Sequence, residues 1–96
     1  MNKSQILHLL TKHHDEILEH DVQSLAIFGS VARGEANSES DVDVLVTFGG
    51  PVTFDKYMEA KIDLEDLLGC QVDLVIEQAL RPQIRPYVEK DAVYVA

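Results

Sequence analysis

The sequence predicts an α/β (α+β) fold, a mixed β-sheet flanked by helices, and three observations carry that prediction. Apolar residues recur with helical period over residues 4–20 and 54–68. Residues 25–28, 42–48 and 72–76 are instead short runs of apolar and β-branched residues. The two kinds of segment alternate along the chain, which sets helices against a sheet. With 46% hydrophobic residues, the 96-residue chain has material for one modest core, so residues 1–96 are expected to form a single domain.

The first helix is read from Ile6, Leu7, Leu10, Ile17 and Leu18, with Ser4 as its N-cap. His8, His13, His14 and His20 lie on or beside it. Adjacent side chains diverge by about 100° on a helix and no pair of these has i,i+4 spacing, so they read as a solvated face rather than a metal set. Leu25 to Phe28 forms a strand ending at Gly29; Ser30 caps a short turn through Val31, Ala32 and Arg33, and Gly34 stops it. Glu35 to Ser40 is a polar loop before the strand Val42 to Phe48, which Gly49-Gly50-Pro51 ends.

The second long helix carries Tyr57, Ala60, Leu64, Leu67 and Leu68 on one face, with Gly69 beyond its end. Its other face carries Asp55, Glu59, Asp63 and Asp66. Like charges at this spacing cost a few tenths of a kcal/mol per pair, roughly, and such a face suits solvent or a basic partner. A third strand, Val72 to Ile76, holds Asp73. Pro86 fits a helix only in its first turn, so a short helix is expected from Pro86 to about Lys90, then a strand-like tail over residues 92–95.

A net charge of −9 and a pI near 4.6 argue against direct nucleic-acid binding, which needs clustered Lys and Arg. An acidic protein can still handle a nucleotide if metal ions offset the phosphate charge. The single cysteine, Cys70, excludes an internal disulfide, is expected to be a small buried residue, and suits a reducing cytoplasm. No signal peptide or membrane-length apolar run is apparent, so a soluble, cytoplasmic protein without membrane contact is expected.

The polar residues give the sheet its direction. Gly29 and Ser30 end the first strand, whereas Asp41 and Asp43 open the second. For these groups to share a site, the two strands must run antiparallel. The helix over residues 54–68 then allows a crossover to a third strand parallel to the second, bringing Asp73 to the same end. Asp41 and Asp43, two apart, leave on one face, while Val42, Val44 and Val46 face the core. Three nearby carboxylates need a shared proton or a cation, and oxygen donors suit Mg²⁺ or Mn²⁺. Gly29 allows close backbone approach to a phosphate and Ser30 adds a hydroxyl. Arg33 is either a phosphate contact or an ion-pair partner.

Jointly, Gly-Ser, ten residues and Asp-x-Asp would arise by chance in about one chain in a thousand of this length. The run GSVARGEANSESDVDVLV resembles the signature of the minimal nucleotidyltransferases, a branch of the DNA polymerase β-like superfamily, with its GSxARG start and SDxD end. The resemblance spans nearly the whole chain and departs from it only in details such as Val44, where Leu is frequent. It implies that Asp41 and Asp43 hold Mg²⁺ on the triphosphate of ATP, that Gly29 and Ser30 bind phosphates, and that Asp73 binds a second metal and helps deprotonate an acceptor hydroxyl. Minimal members are similar to antitoxins paired with HEPN-type RNase toxins, some of which transfer AMP to a toxin tyrosine. The leading expectation is such an antitoxin. The alternatives are a binding module that neutralises its partner by occlusion, and the catalytic half of a two-component transferase acting on a small molecule.

Overall fold

The computed structural model describes residues 2–35 and 41–95. Helix α1 (Lys3–Lys12) is followed by α2 (His14–Leu18), strand β1 (Val22–Phe28), the one-turn helix α3 (Gly29–Ala32), strand β2 (Val42–Phe48), helix α4 (Phe54–Leu68), strand β3 (Val72–Ile76), a 3₁₀ turn (Glu77–Ala79), helix α5 (Arg85–Asp91) and strand β4 (Val93–Tyr94). The four strands form one sheet in the order β3-β2-β1-β4. β1 is antiparallel to both β2 and β4, and β2 is parallel to β3. The expected mixed sheet is present, with α4 as the crossover between its parallel pair.

Register explains where the core lies. Leu25 pairs with Val46 and Ile27 with Val44, while Val42 and Val44 pair with Val72 and Leu74. Directly paired residues share a face, so these side chains form one apolar surface across three strands. Ile6, Leu10 and Ile17 from α1 and α2, and Ala60, Leu64 and Leu68 from α4, close over it in one buried cluster. Phe28, Asp43 and Asp73 occupy the alternate positions and therefore leave from the opposite face.

Three boundaries differ from the sequence expectation. The first helix starts two residues earlier than a Ser4 cap requires. Asn2 accepts a hydrogen bond from the Gln5 N–H, and the Gln5 side chain accepts one from the Asn2 N–H, both at 2.9 Å. This reciprocal cap satisfies two end donors together, which Ser4 alone would not do. The helix also breaks at His13. Its buried stripe runs Ile6, Leu10, Ile17, and histidines hold the intervening turn where an apolar anchor would be needed. Finally, β1 begins at Val22, which is buried and pairs with Phe48 across a register shift. Polar Gln23 and Ser24 hide this extension in the sequence, and Ser24 meets Thr47 hydroxyl to hydroxyl across the strands.

The remaining elements keep their expected places. Thr53 caps α4 and Gly69 ends it at φ 68°, the left-handed conformation glycine supplies without penalty. Pro86 lies in the first turn of α5. Of the expected loop over residues 35–40, all but Glu35 lies outside the described residues. Among the described residues, no helix is long and apolar enough to cross a membrane.

Candidate active site

The end of the sheet where β1 stops and β2 starts gathers the sequence-predicted residues. Phe28 pairs with Asp43 across β1 and β2, and Asp43 pairs with Asp73 across β2 and β3. In this register the Asp43 and Asp73 side chains stand side by side on the sheet face opposite the helical core. Asp41 lies just before β2 and is exposed.

Gly29 turns the chain sharply away from β1. Its φ of 70° is left-handed, and a Cβ there would sit 2.2 Å from Asp43 Oδ2. Any side chain at this position would drive into the carboxylate, so Gly29 brings the backbone against Asp43 itself. The turn continues as α3, closed by Arg33 N–H to Gly29 O at 3.1 Å, Gly34 N–H to Val31 O at 3.0 Å and Glu35 N–H to Ser30 O at 2.8 Å. Phe28, not Ser30, occupies the cap position; Ser30 is the second residue of the helix. The cap expectation is corrected because the turn begins at Gly29, two residues earlier than a Ser30 cap requires.

Electrostatics single out Asp43. Its carboxyl is pushed above the ordinary aspartate value, first by partial burial and then by the neighbouring charges of Asp73 and Asp41 and a hydrogen bond with Asp73; Arg33 partly offsets this. Arg33 reaches the area from the end of α3, its Nε donating to Glu35 Oε2 at 3.0 Å and its Nη1 to Asp91 Oδ2 at 2.9 Å. Those two carboxylates hold the guanidinium pKa above its usual value. Sequence reasoning misses Asp91, since nothing local connects it with Arg33 58 positions away.

Supporting contacts fix the strand that carries Asp73. The Tyr57 hydroxyl donates to Leu74 O at 2.7 Å, and Glu65 Oε2 accepts from the Val72 N–H at 3.0 Å. Beyond the end of β3, the Gln78 side chain donates to Phe48 O at 3.0 Å and accepts from the Phe48 N–H at 3.2 Å. This amide extends the β2–β3 ladder by one rung past Ile76, using a side chain in place of a strand residue.

A divalent cation can be tested against these residues. Asp43 and Asp73 form a close pair whose mutual repulsion raises the Asp43 carboxyl, and the donors are all oxygen. Both features suit a hard cation such as Mg²⁺ or Mn²⁺. Among the described residues, however, no three Asp, Glu, His or Cys side chains converge on one ready-made metal position. The residues fit a cation that is completed by substrate oxygens better than one enclosed by protein alone.

The histidines do not join this site. His20 hydrogen-bonds Asp63, and His13 approaches Glu16 at 3.3 Å. Both line a cleft of about 390 Å³ between α2 and α4, whose walls also include Ile17, Asp66 and Leu67. It lies at the start of β1, separated from Gly29 by the length of that strand, about 20 Å. The histidine face is therefore partly engaged with the acidic face of α4 rather than wholly solvated. Cys70 is half-buried rather than fully buried as expected, and its partial burial pushes the thiol pKa up.

Known proteins resemble this chain in sequence and in fold. The pattern of the nucleotidyltransferase domain family matches residues 10–95. A Methanocaldococcus jannaschii protein named for protein adenylyltransferase activity is 44% identical over 94 residues, covering 96% of each chain. The protein adenylyltransferase MntA of Thermococcus cleftensis is 41% identical over 92 residues, covering 95% of this chain and 93% of its own. A solved minimal nucleotidyltransferase superimposes with a TM-score of 0.77 at 37% identity, covering 97% of this chain and 95% of that one. The fold is also similar to that of a chain in a complex of a tri-AMPylated Shewanella oneidensis HEPN toxin with MNT antitoxin, with a TM-score of 0.67 at 18% identity over 94% of this chain and 71% of that one.

Proposed function

This chain belongs to the nucleotidyltransferase domain family, and from that premise we propose that it is an antitoxin that transfers AMP from ATP to a tyrosine hydroxyl of a cognate HEPN-type toxin. The observation that carries the reading is the placement of Asp43 beside Asp73 and against Gly29. The adenylyltransferase relatives support protein as the acceptor class. The toxin complex supports the kind of partner.

In this reading Asp41, Asp43 and Asp73 would hold Mg²⁺ or Mn²⁺, which would offset the triphosphate charge and stabilise the entering and leaving oxygens. The Gly29 backbone and the Ser30 hydroxyl contact phosphate oxygens, with Arg33 alongside. The acceptor oxygen attacks the α-phosphorus, the bond to the bridging oxygen breaks, pyrophosphate leaves, and Asp73 takes the acceptor proton. Asp73 suits that role because β3 is an edge strand and its side chain is exposed, open to a hydroxyl carried by another molecule. Asp43, half-buried between two strands, suits a fixed metal ligand without that second role. A cytoplasmic setting is part of the same reading, in keeping with the single cysteine.

The test is intact-mass analysis of a HEPN-type protein that binds this chain, after incubation with ATP, Mg²⁺ and the purified chain. The expected result is addition of one or more AMP units on tyrosine, lost when Asp41 and Asp43 are both replaced by Asn. A pair that binds and neutralises without any added mass, and does so equally with the double variant, would instead establish occlusion.

A further inference from the structure

A carboxylate from the C-terminal part of the chain reaches the turn that follows β1. Asp91, the last residue of α5, accepts a hydrogen bond from Arg33 at 2.9 Å, and its side chain is only 27% exposed. Glu35 binds a different nitrogen of the same guanidinium at 3.0 Å. Glu35 is two residues from Arg33 and moves with the turn, whereas Asp91 belongs to another element. Two acceptors on separate nitrogens of a planar group leave it little rotational freedom. α5 leads directly into β4, which is hydrogen-bonded to β1, so Asp91 is anchored to the same sheet that ends at Gly29.

We infer that Asp91 is a positioning residue for the nucleotide: by gripping Arg33 from α5, it holds the guanidinium at the end of the turn whose first residue, Gly29, packs against Asp43, where the triphosphate of a bound nucleoside triphosphate is received. The inference rests on the nucleotidyl-transfer reading above and adds to it a residue outside the Gly-Ser and Asp-x-Asp segments. Asp91 also competes with phosphate for the guanidinium, but it engages one of five N–H donors and leaves others for the ligand. Without it, the long Arg33 side chain must be ordered when nucleotide binds, which weakens affinity by about 2- to 12-fold.

The experiment is a calorimetric titration of a non-hydrolysable ATP analogue with Mg²⁺ into wild type, D91A, R33A and the double variant, with a thermal melt of each. The expected result is a roughly 3- to 10-fold weaker Kd for D91A, within the range set by that ordering cost. In the R33A background, D91A should change Kd no further. An unchanged Kd for D91A overturns the inference. So does an equal loss with and without Arg33, because Asp91 would then act through the fold. If D91A does not fold, D91N, which keeps the side-chain shape, takes its place in the same cycle, and the same two outcomes overturn the inference. Failure of the wild type to bind the analogue would overturn the nucleotidyl-transfer reading itself, a result distinct from the other two.

Discussion

Gly29 and Asp43 are packed so closely that a methyl group on the glycine would lie 2.2 Å from a carboxylate oxygen. The contact joins the turn after β1 to the start of β2. Two penalties therefore fall on a G29A substitution: a left-handed φ costs an L-residue about 1–2 kcal/mol, and Asp43 must also shift. G29A should lower unfolding free energy in urea by at least that amount and abolish transfer. Truncating the opposing carboxylate in G29A/D43A should recover part of the lost stability. Strict additivity of the two substitutions would show that the contact is not the cause.

Asp43 also sets a pH dependence. Its carboxyl titrates higher in the folded protein than in the unfolded chain, so the fold binds the proton more tightly. Stability from this group is therefore greatest under acidic conditions and falls as pH rises through its folded-state titration. Thermal melts of D43N should exceed those of wild type at neutral pH, and the gap should close on acidification. Added Mg²⁺ should stabilise wild type more than D43N.

Asp73 has a separable role. As the proposed proton acceptor, it should lower the transfer rate by roughly 10²- to 10⁴-fold when replaced by Asn. Folding should be little changed, because its side chain is exposed. Rapid-quench single-turnover kinetics with saturating ATP checks this; a loss confined to KM for ATP would count against the assignment.

The N-terminal cap gives a test away from chemistry. N2A removes the acceptor for the Gln5 N–H and should cost about 1 kcal/mol, within the range for lost caps. S4A should be close to neutral, since Ser4 is exposed in the first turn. Urea denaturation of the two variants side by side distinguishes the cap seen here from the one suggested by the local sequence.

Much of this architecture was legible because several segments state their conformation locally. Residues 54–68 combine a helical apolar stripe with Gly69 after it, and α4 has those bounds. Residues 42–48 and 72–76 are bounded by polar or glycine residues and form strands over the same ranges. The approach of Gly29, Asp43 and Asp73 followed from strand direction and two-residue alternation. What escaped depends on tertiary contacts. Val22 joins β1 only because Phe48 lies opposite it. The break at His13 reflects the lack of an apolar anchor in that turn. The Gln78 rung and the Asp91 grip each join residues distant in sequence, at separations of 30 and 58 positions, and no local pattern announces either.

The strand order has a further consequence for how this chemistry can diversify. The close pairing of Gly29 with Asp43 involves the two central strands, whereas Asp73 stands on the outermost one. On the proposed roles, the nucleotide is held centrally and the hydroxyl arrives at the rim. Residues along the outer flank of β3 can then change to suit a new target while the triphosphate grip stays intact. Substrate choice and nucleotide chemistry become separately mutable, which lets one small scaffold be re-aimed at different proteins without being rebuilt.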